Sequence, residues 1–179
     1  PLPDSVAPRA AAASDVLLHE RHVSNVLVSR KFARGDVAEA MASAAIRVKE
    51  SFRFHRKTPL AIENRCYLAD FNKGKQALTL YSSTQVPGVI RDALAEVLAM
   101  PGHSVRVVAP DVGGGFGGKA SLYPEEILVS LLSRRLGQPV KWTSDRLEDL
   151  LTTSQAFDET IDAELAVDQD GRLLGLTAE

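Results

Sequence analysis

A single cysteine, Cys66, stands among 179 residues. One thiol excludes an internal disulfide and any multi-cysteine metal or iron–sulfur site carried by this chain alone. An excess of charge of one sign is also missing: 21 Lys and Arg stand against 23 Asp and Glu, a formal net charge of −2, and no basic cluster breaks the balance. Nucleic acid therefore finds no electrostatic footprint here. No apolar run approaches the roughly 20 residues that cross a bilayer. No signal-peptide pattern opens the chain either, so the expected setting is cytoplasmic, with the periplasm as the alternative. His19 and His22 have metal-ligand spacing but no third partner nearby, and read as solvent-facing linker residues. The start at P-L-P-D, without an initiator methionine, suggests a processed chain or a piece of something larger.

What is present is the composition of an ordinary globular chain, 45% hydrophobic and 25% charged, long enough for one domain or a domain plus a lead-in. Residues 1–35 read as the lead-in: Pro1, Pro3 and Pro8 punctuate it, and no periodicity persists. Residues 36–179 read as the domain. Asp36 is a candidate N-cap for a helix over Val37–Ala45. Alternation over Ile46–Phe54 predicts a half-buried strand with Ile46, Val48, Phe52 and Phe54 as its apolar markers and Ser51 out of phase. Arg65–Phe71 and Ala77–Ser82 read as a hairpin turning at Asn72–Lys75. The C-terminal stretch alternates again, turns at Asp170-Gly171 and returns over Arg172–Thr177.

Between the hairpins lie two successive strand–loop–helix units. Ala77–Ser82 runs through Thr84-Gln85 into a helix over Val86–Ala99, whose apolar residues Val89, Ile90, Ala93, Leu94, Val97 and Leu98 share one face. Val105–Val108 runs through D-V-G-G-G-F-G-G-K (Asp111–Lys119) into a helix over Pro124–Leu136. Proline in its first turn, Glu125 and Glu126 at its start, Arg134 and Arg135 at its end and Gly137 after it mark that helix. Pro139–Thr143 is a further strand. The fold class is α+β, with a mixed sheet and two strand–loop–helix units. Gln85 and the glycine loop hold equivalent places, at strand ends where ligands bind in sheets with helical crossovers.

Taken by itself, the glycine loop fits two nucleotide-binding templates and a structural alternative, three readings in all. Gly113–Gly118 fits G-x-G-x-x-G, but the acidic residue expected about 20 residues on, at the end of the next strand, arrives late, as Asp145 after P-V-K-W-T. Gly113–Lys119 fits G-x-x-x-x-G-K, but Ala120 stands where a phosphate loop needs Ser or Thr, and no second magnesium ligand is evident. A flexible surface loop or packing corner is the third, and Phe116 and Lys119 argue against it.

Taken with its neighbours, the loop resembles a known family. V-R-V-V-A-P-D-V-G-G-G-F-G-G-K, then Y-P-E-E, then L-G-Q-P-V-K-W and R-L-E, is similar to the large subunit of the molybdenum hydroxylases, the xanthine dehydrogenase, aldehyde oxidase and aerobic carbon monoxide dehydrogenase superfamily. The likeness extends to S-T-Q at Ser83–Gln85, to P-L-A-I-E-N-R at Pro59–Arg65 and to the opening P-L-P. It implies a molybdenum–molybdopterin cofactor, possibly a dinucleotide form, and a substrate hydroxylated with oxygen from water. It also implies two-iron two-sulfur clusters and FAD on partner subunits or domains, which would receive the electrons.

Residue by residue, the resemblance places Gln85 against an oxo ligand of the metal through its side-chain amide. It brings the main chain of Gly114, Gly115, Phe116 and Gly117 to the cofactor and sets Phe116 and Ala120 at the substrate pocket. No residue of this chain ligates the metal directly. Ala120 stands where xanthine-oxidising members carry a purine-contacting glutamate, so purine recognition by that route is not expected. Aldehydes, N-heteroaromatics and carbon monoxide stay open. Glu63 and Arg65 match a family motif and read as a structural ion pair or turn support. The general-base glutamate is expected downstream of Glu179, in the remainder of the large subunit, and the start resembles the exit from a preceding hammerhead domain. A non-catalytic scaffold of the same fold, or a nucleotide binder, is the alternative.

Overall fold

The computed structural model describes residues 7–179, so the opening P-L-P lies outside it. In chain order the elements are α1 (Pro8–Ala12), α2 (Val37–Ser43), β1 (Ile46–Phe54), β2 (Cys66–Asn72), β3 (Ala77–Ser82), α3 (Pro87–Val97), β4 (Val105–Val108), α4 (Pro124–Leu136), β5 (Val140–Thr143), α5 (Arg146–Thr152), β6 (Glu159–Val167) and β7 (Leu173–Ala178). They divide into two units: Lys57–Ala156, and the residues up to Arg56 together with Phe157–Glu179.

In the Lys57–Ala156 unit the strands run in the order β4-β3-β2-β5. The β2–β3 hairpin is antiparallel, β5 adds antiparallel to β2, and β4 lies parallel to β3 with Tyr81 opposite Val108. A parallel neighbour needs a crossover, and α3 supplies it. The register puts Tyr67, Ala69, Phe71, Leu78, Leu80 and Val105 on one face, and Ile90, Leu94 and Leu98 of α3 and Val129 of α4 close a single core over it. Half of the apolar face expected of α3 is used this way, while Val89 and Val97 stay more than half exposed. The helix ends at Val97, and Ala99, whose φ of +50° leaves the right-handed region, turns the chain away before Pro101 is reached.

Helix α4 is turned against its composition. Glu126, Val129, Ser130 and Ser133 face inward, and Leu128, Leu131, Leu132 and Leu136 are exposed. Small serines let the helix sit close on β2. Because β5 stops pairing at Ala69, the Phe71 N–H has no ladder partner on that side; it donates to Ser133 Oγ at 2.9 Å, and that hydroxyl donates onward to Gln138 O at 2.9 Å. Glu126 is 1% exposed and accepts from Ser82 Oγ and the Tyr123 N–H. Burial pushes its carboxyl above the ordinary range. Gly137 closes the helix at φ +70°, the left-handed C-cap that glycine adopts without strain.

In the other unit β1, β6 and β7 form an antiparallel sheet in the order β1-β6-β7. Strand β1 has the expected bounds, yet it is exposed along its whole length, with Ile46, Val48, Phe52 and Phe54 each about half exposed (54, 48, 49 and 48%). Pairing with β6 continues unbroken through Ser51, opposite Asp162, so the polar residue on the apolar face is Glu50. Helix α2 starts at its expected cap, Asp36 Oδ1 accepting from the Glu39 N–H. In the stretch where no periodicity was expected, Pro8–Ala12 forms a short helix, and Asn25 Nδ2 donates to Ala11 O and Val16 O behind it. His19 and His22 are exposed, their rings edge-to-face at 6.0 Å.

Ser133→Ala should therefore destabilise the Lys57–Ala156 unit by about 1–3 kcal/mol, the cost of stranding a buried backbone donor. Leu132→Gln, on the exposed face of α4, should change stability by no more than about 0.5 kcal/mol. Denaturant unfolding of the two variants checks the contrast.

Candidate functional site

Parallel strands end side by side. The carboxyl ends of β3 and β4 are neighbours, so Ser83-Thr84-Gln85 and the loop Asp111–Ala120 emerge together. The main chains then bond: the Gln85 N–H donates to Lys119 O at 2.9 Å, and Thr84 Oγ1 donates to the same oxygen at 3.1 Å. The Gln85 side chain completes the union. Its Oε1 accepts from the Gly117 N–H at 3.0 Å and from the Lys119 N–H at 3.2 Å. With the oxygen engaged, Nε2 has no acceptor among the described residues and carries two free N–H bonds.

The loop folds on itself through Gly118 N–H to Gly115 O (2.8 Å) and Ala120 N–H to Gly117 O (3.2 Å). The N–H groups of Gly114, Gly115 and Phe116 donate to no acceptor among the described residues. Gly115 lies so close to Gln85 that a Cβ there would stand 2.5 Å from the carboxamide carbon. Gly117 has φ +88°, a conformation glycine takes without strain, whereas Phe116 holds φ +49° despite its side chain. The Phe116 ring is 76% exposed and folds back over Gly114, so it does not pin the loop as a core residue. Ala120 is exposed at the end of the loop.

Three donors converge on one carboxylate oxygen behind the loop. Glu63 Oε2 accepts from Ser83 Oγ, the Gly113 N–H and Lys119 Nζ, each at 2.8 Å. The Glu63 N–H returns a bond to Gly113 O at 3.1 Å. Burial pushes this carboxyl up, but the bonds from Lys119, Ser83 and Gly113 outweigh it and hold the group below its ordinary value. The Lys119 side chain is 3% exposed and committed to Glu63, so it is withdrawn from the role of a phosphate-binding lysine.

Glu63 and Arg65 do not pair with each other. Arg65, fully buried, bonds Asp149, Glu125 and Thr152 and stacks 3.9 Å above the Tyr123 ring. Tyr123 in turn donates its hydroxyl to Gly118 O and accepts from the Ser154 N–H. No periodicity in the sequence points to this support for the loop. Its one local signal is D-R-L-E at Asp145–Glu148, a capping box that starts α5 and sets Asp149 against Arg65.

Residues 18–179 match the family described as the molybdopterin cofactor-binding domain. The chain belongs to this family. It is 35% identical over 98% of its length to the carbon monoxide dehydrogenase large chain of Hydrogenophaga pseudoflava, covering 21% of that protein. It is 34% identical over 94% of its length to the nicotine 6-hydroxylase large subunit of Paenarthrobacter nicotinovorans, again covering 21%. Quinoline 2-oxidoreductase from Pseudomonas putida 86 superposes on 82% of the chain with a TM-score of 0.72 and 42% identity, the chain covering 19% of it. Aldehyde oxidoreductase from Desulfovibrio gigas shares the fold over 97% of the chain, with a TM-score of 0.81, 23% identity and 19% of that protein covered. The cofactor-binding domain thus spans about a fifth of the length of these relatives. Among its described residues, no helix is long and apolar enough to cross a membrane.

Two outcomes test this geometry. Gly115→Ala should push the Gln85 carboxamide off the loop without unfolding the domain, because the atoms it strikes belong to a movable side chain; a crystal structure of the variant with Gln85 unmoved would contradict this. The depressed Glu63 carboxyl should stabilise the domain fully above its unfolded value near 4.5, and that contribution should disappear as pH falls through the lower folded value. The stability difference between wild type and Glu63→Gln should accordingly shrink on acidification below about pH 4.5, and a difference that grows there would reverse the sign. Glu126, raised by burial, works in the opposite direction but is common to both proteins.

Proposed function

We propose that this domain is the first cofactor-contacting segment in the large subunit of a molybdenum hydroxylase, holding one face of a molybdenum–molybdopterin cofactor. The reading rests on one observation above all: Gln85 Oε1 is tied to the Gly117 and Lys119 N–H groups, which leaves Nε2 as a fixed, uncharged donor. Beside it stand the N–H groups of Gly114, Gly115 and Phe116, which have no acceptor among the described residues. Such a donor set suits an electron-rich, oxygen-bearing group and matches no cation. Family membership supplies the identity of that group.

When bound, the cofactor supplies a centre that accepts two electrons while the substrate gains an oxygen atom derived from water. The work of this chain is positioning. The Gln85 amide donates to an acceptor atom of the cofactor without adding charge, and the loop amides contribute dipoles that need no reorganisation. Phe116, exposed at the loop tip, and Ala120 border the substrate side. A methyl group at position 120 offers neither a hydrogen bond nor a charge, which favours an aldehyde, an N-heteroaromatic or a related small molecule over a purine. The proton-transferring glutamate belongs to the remainder of the subunit, and iron–sulfur and FAD partners carry the electrons away.

In the complete enzyme, Gln85→Glu keeps an oxygen for the loop but replaces the outward donor with a second acceptor. Turnover per bound molybdenum should fall roughly 100-fold, the scale of losing one preorganised donor, while subunit assembly is retained. Turnover equal to wild type at equal molybdenum content would defeat the role given to Gln85.

A further inference from the structure

We propose that Glu63 is a positioning residue, a clamp that fixes the gap between Gln85 and the glycine loop. The inference deepens the preceding reading and rests on it for its catalytic consequence, but the clamp itself is a property of this chain alone. Glu63 precedes β2, more than 45 positions from the loop in sequence, yet one of its oxygens receives Gly113 at the loop's entrance, Lys119 at its exit and Ser83 at the end of β3. These are the three points from which the Gln85–loop geometry hangs. Ser83 lies two residues before Gln85, and Lys119 both donates its N–H to Gln85 Oε1 and accepts from the Gln85 N–H. A carboxylate suits the junction because it accepts several donors at once and answers the charge of a buried ammonium. Gly113 seals the arrangement, since a Cβ there would stand 2.6 Å from Glu63 Cβ.

A residue that merely stabilised the domain would loosen all of it when altered. A clamp loosens the loop first. The measurement is amide hydrogen exchange on the complete large subunit, wild type against Glu63→Gln, read at Gly117 and Lys119 and at Leu68 and Leu80 within the sheet. Exchange at Gly117 and Lys119 should rise tenfold or more, several times further than at Leu68 and Leu80, whose exchange follows only the loss of global stability. No rise at the loop, or an equal rise in the sheet, overturns the clamp. Should Glu63→Gln fail to fold, Ser83→Ala removes one donor from the same oxygen without stranding a charge, and a twofold to fivefold rise confined to the loop is expected; none would overturn the proposal.

Kinetics of the loaded enzyme separate positioning from bulk stability. Glu63→Gln should lower kcat per bound molybdenum at least tenfold with KM changed less than threefold, whereas a merely structural role would reduce the amount of loaded enzyme and leave kcat per molybdenum intact. Exchange that rises at the loop without a fall in kcat supports the clamp and sinks instead the part assigned to Gln85, so the two failures are told apart.

Discussion

The buried charge of Lys119 is the constraint around which the site is arranged. An ammonium that is 3% exposed is held in a domain only with a counter-charge in contact, because desolvation alone costs several kcal/mol. Glu63 provides that charge from another part of the chain. Since the same oxygen also takes Gly113 and Ser83, neutralising the lysine closes both ends of the loop on the strand that leads to Gln85. The ion pair is therefore more than a local contact: it sets the spacing between two segments that the sheet topology has merely brought near.

Topology does the first half of this work. A parallel β3–β4 pair with α3 as crossover makes two strand ends coincide, and anything following those ends is placed side by side. Glycine does the next part. Where Gly115 touches Gln85 there is no room for a side chain, and where Gly117 turns there is no penalty for a positive φ. Phe116 between them bears a left-handed backbone, which costs a non-glycine residue about 1–2 kcal/mol. The bonds on either side of it, Gly118 N–H to Gly115 O and Gly117 N–H to Gln85 Oε1, hold the residue in place.

Much of this was legible in the sequence, and what was not has a physical cause. The strands, the helices α2, α3 and α4, the two hairpin turns and the adjacency of Gln85 to the glycine loop follow from local periodicity, turn chemistry and the order of elements. The partners of Glu63 and Arg65 do not, because they lie 20–56 and 60–87 positions away and no periodicity connects them. Burial misled in β1. Alternation in β1 predicted one covered face, yet alternation reports only which residues share a face and not whether anything lies on it. In α4 the end signals place the helix but do not say which face turns inward, and close approach to β2 selects the serines.

The glycine templates fail for a related reason. A run of five glycines in nine positions satisfies several spacing rules at once, since every rule asks only for glycine at chosen steps. What separates the readings is the residue each loop position meets. A phosphate loop needs its lysine free, and Lys119 is buried on Glu63. A flexible linker needs its amides in solvent, and those of Gly113, Gly117 and Lys119 are bonded to side chains from elsewhere in the domain. The amides without a partner among the described residues, at Gly114, Gly115 and Phe116, lie between the bonded ones, so the loop is anchored at both ends with donors available in its middle. That division of labour, rather than glycine content, is what the cofactor contact proposed for the loop rests on.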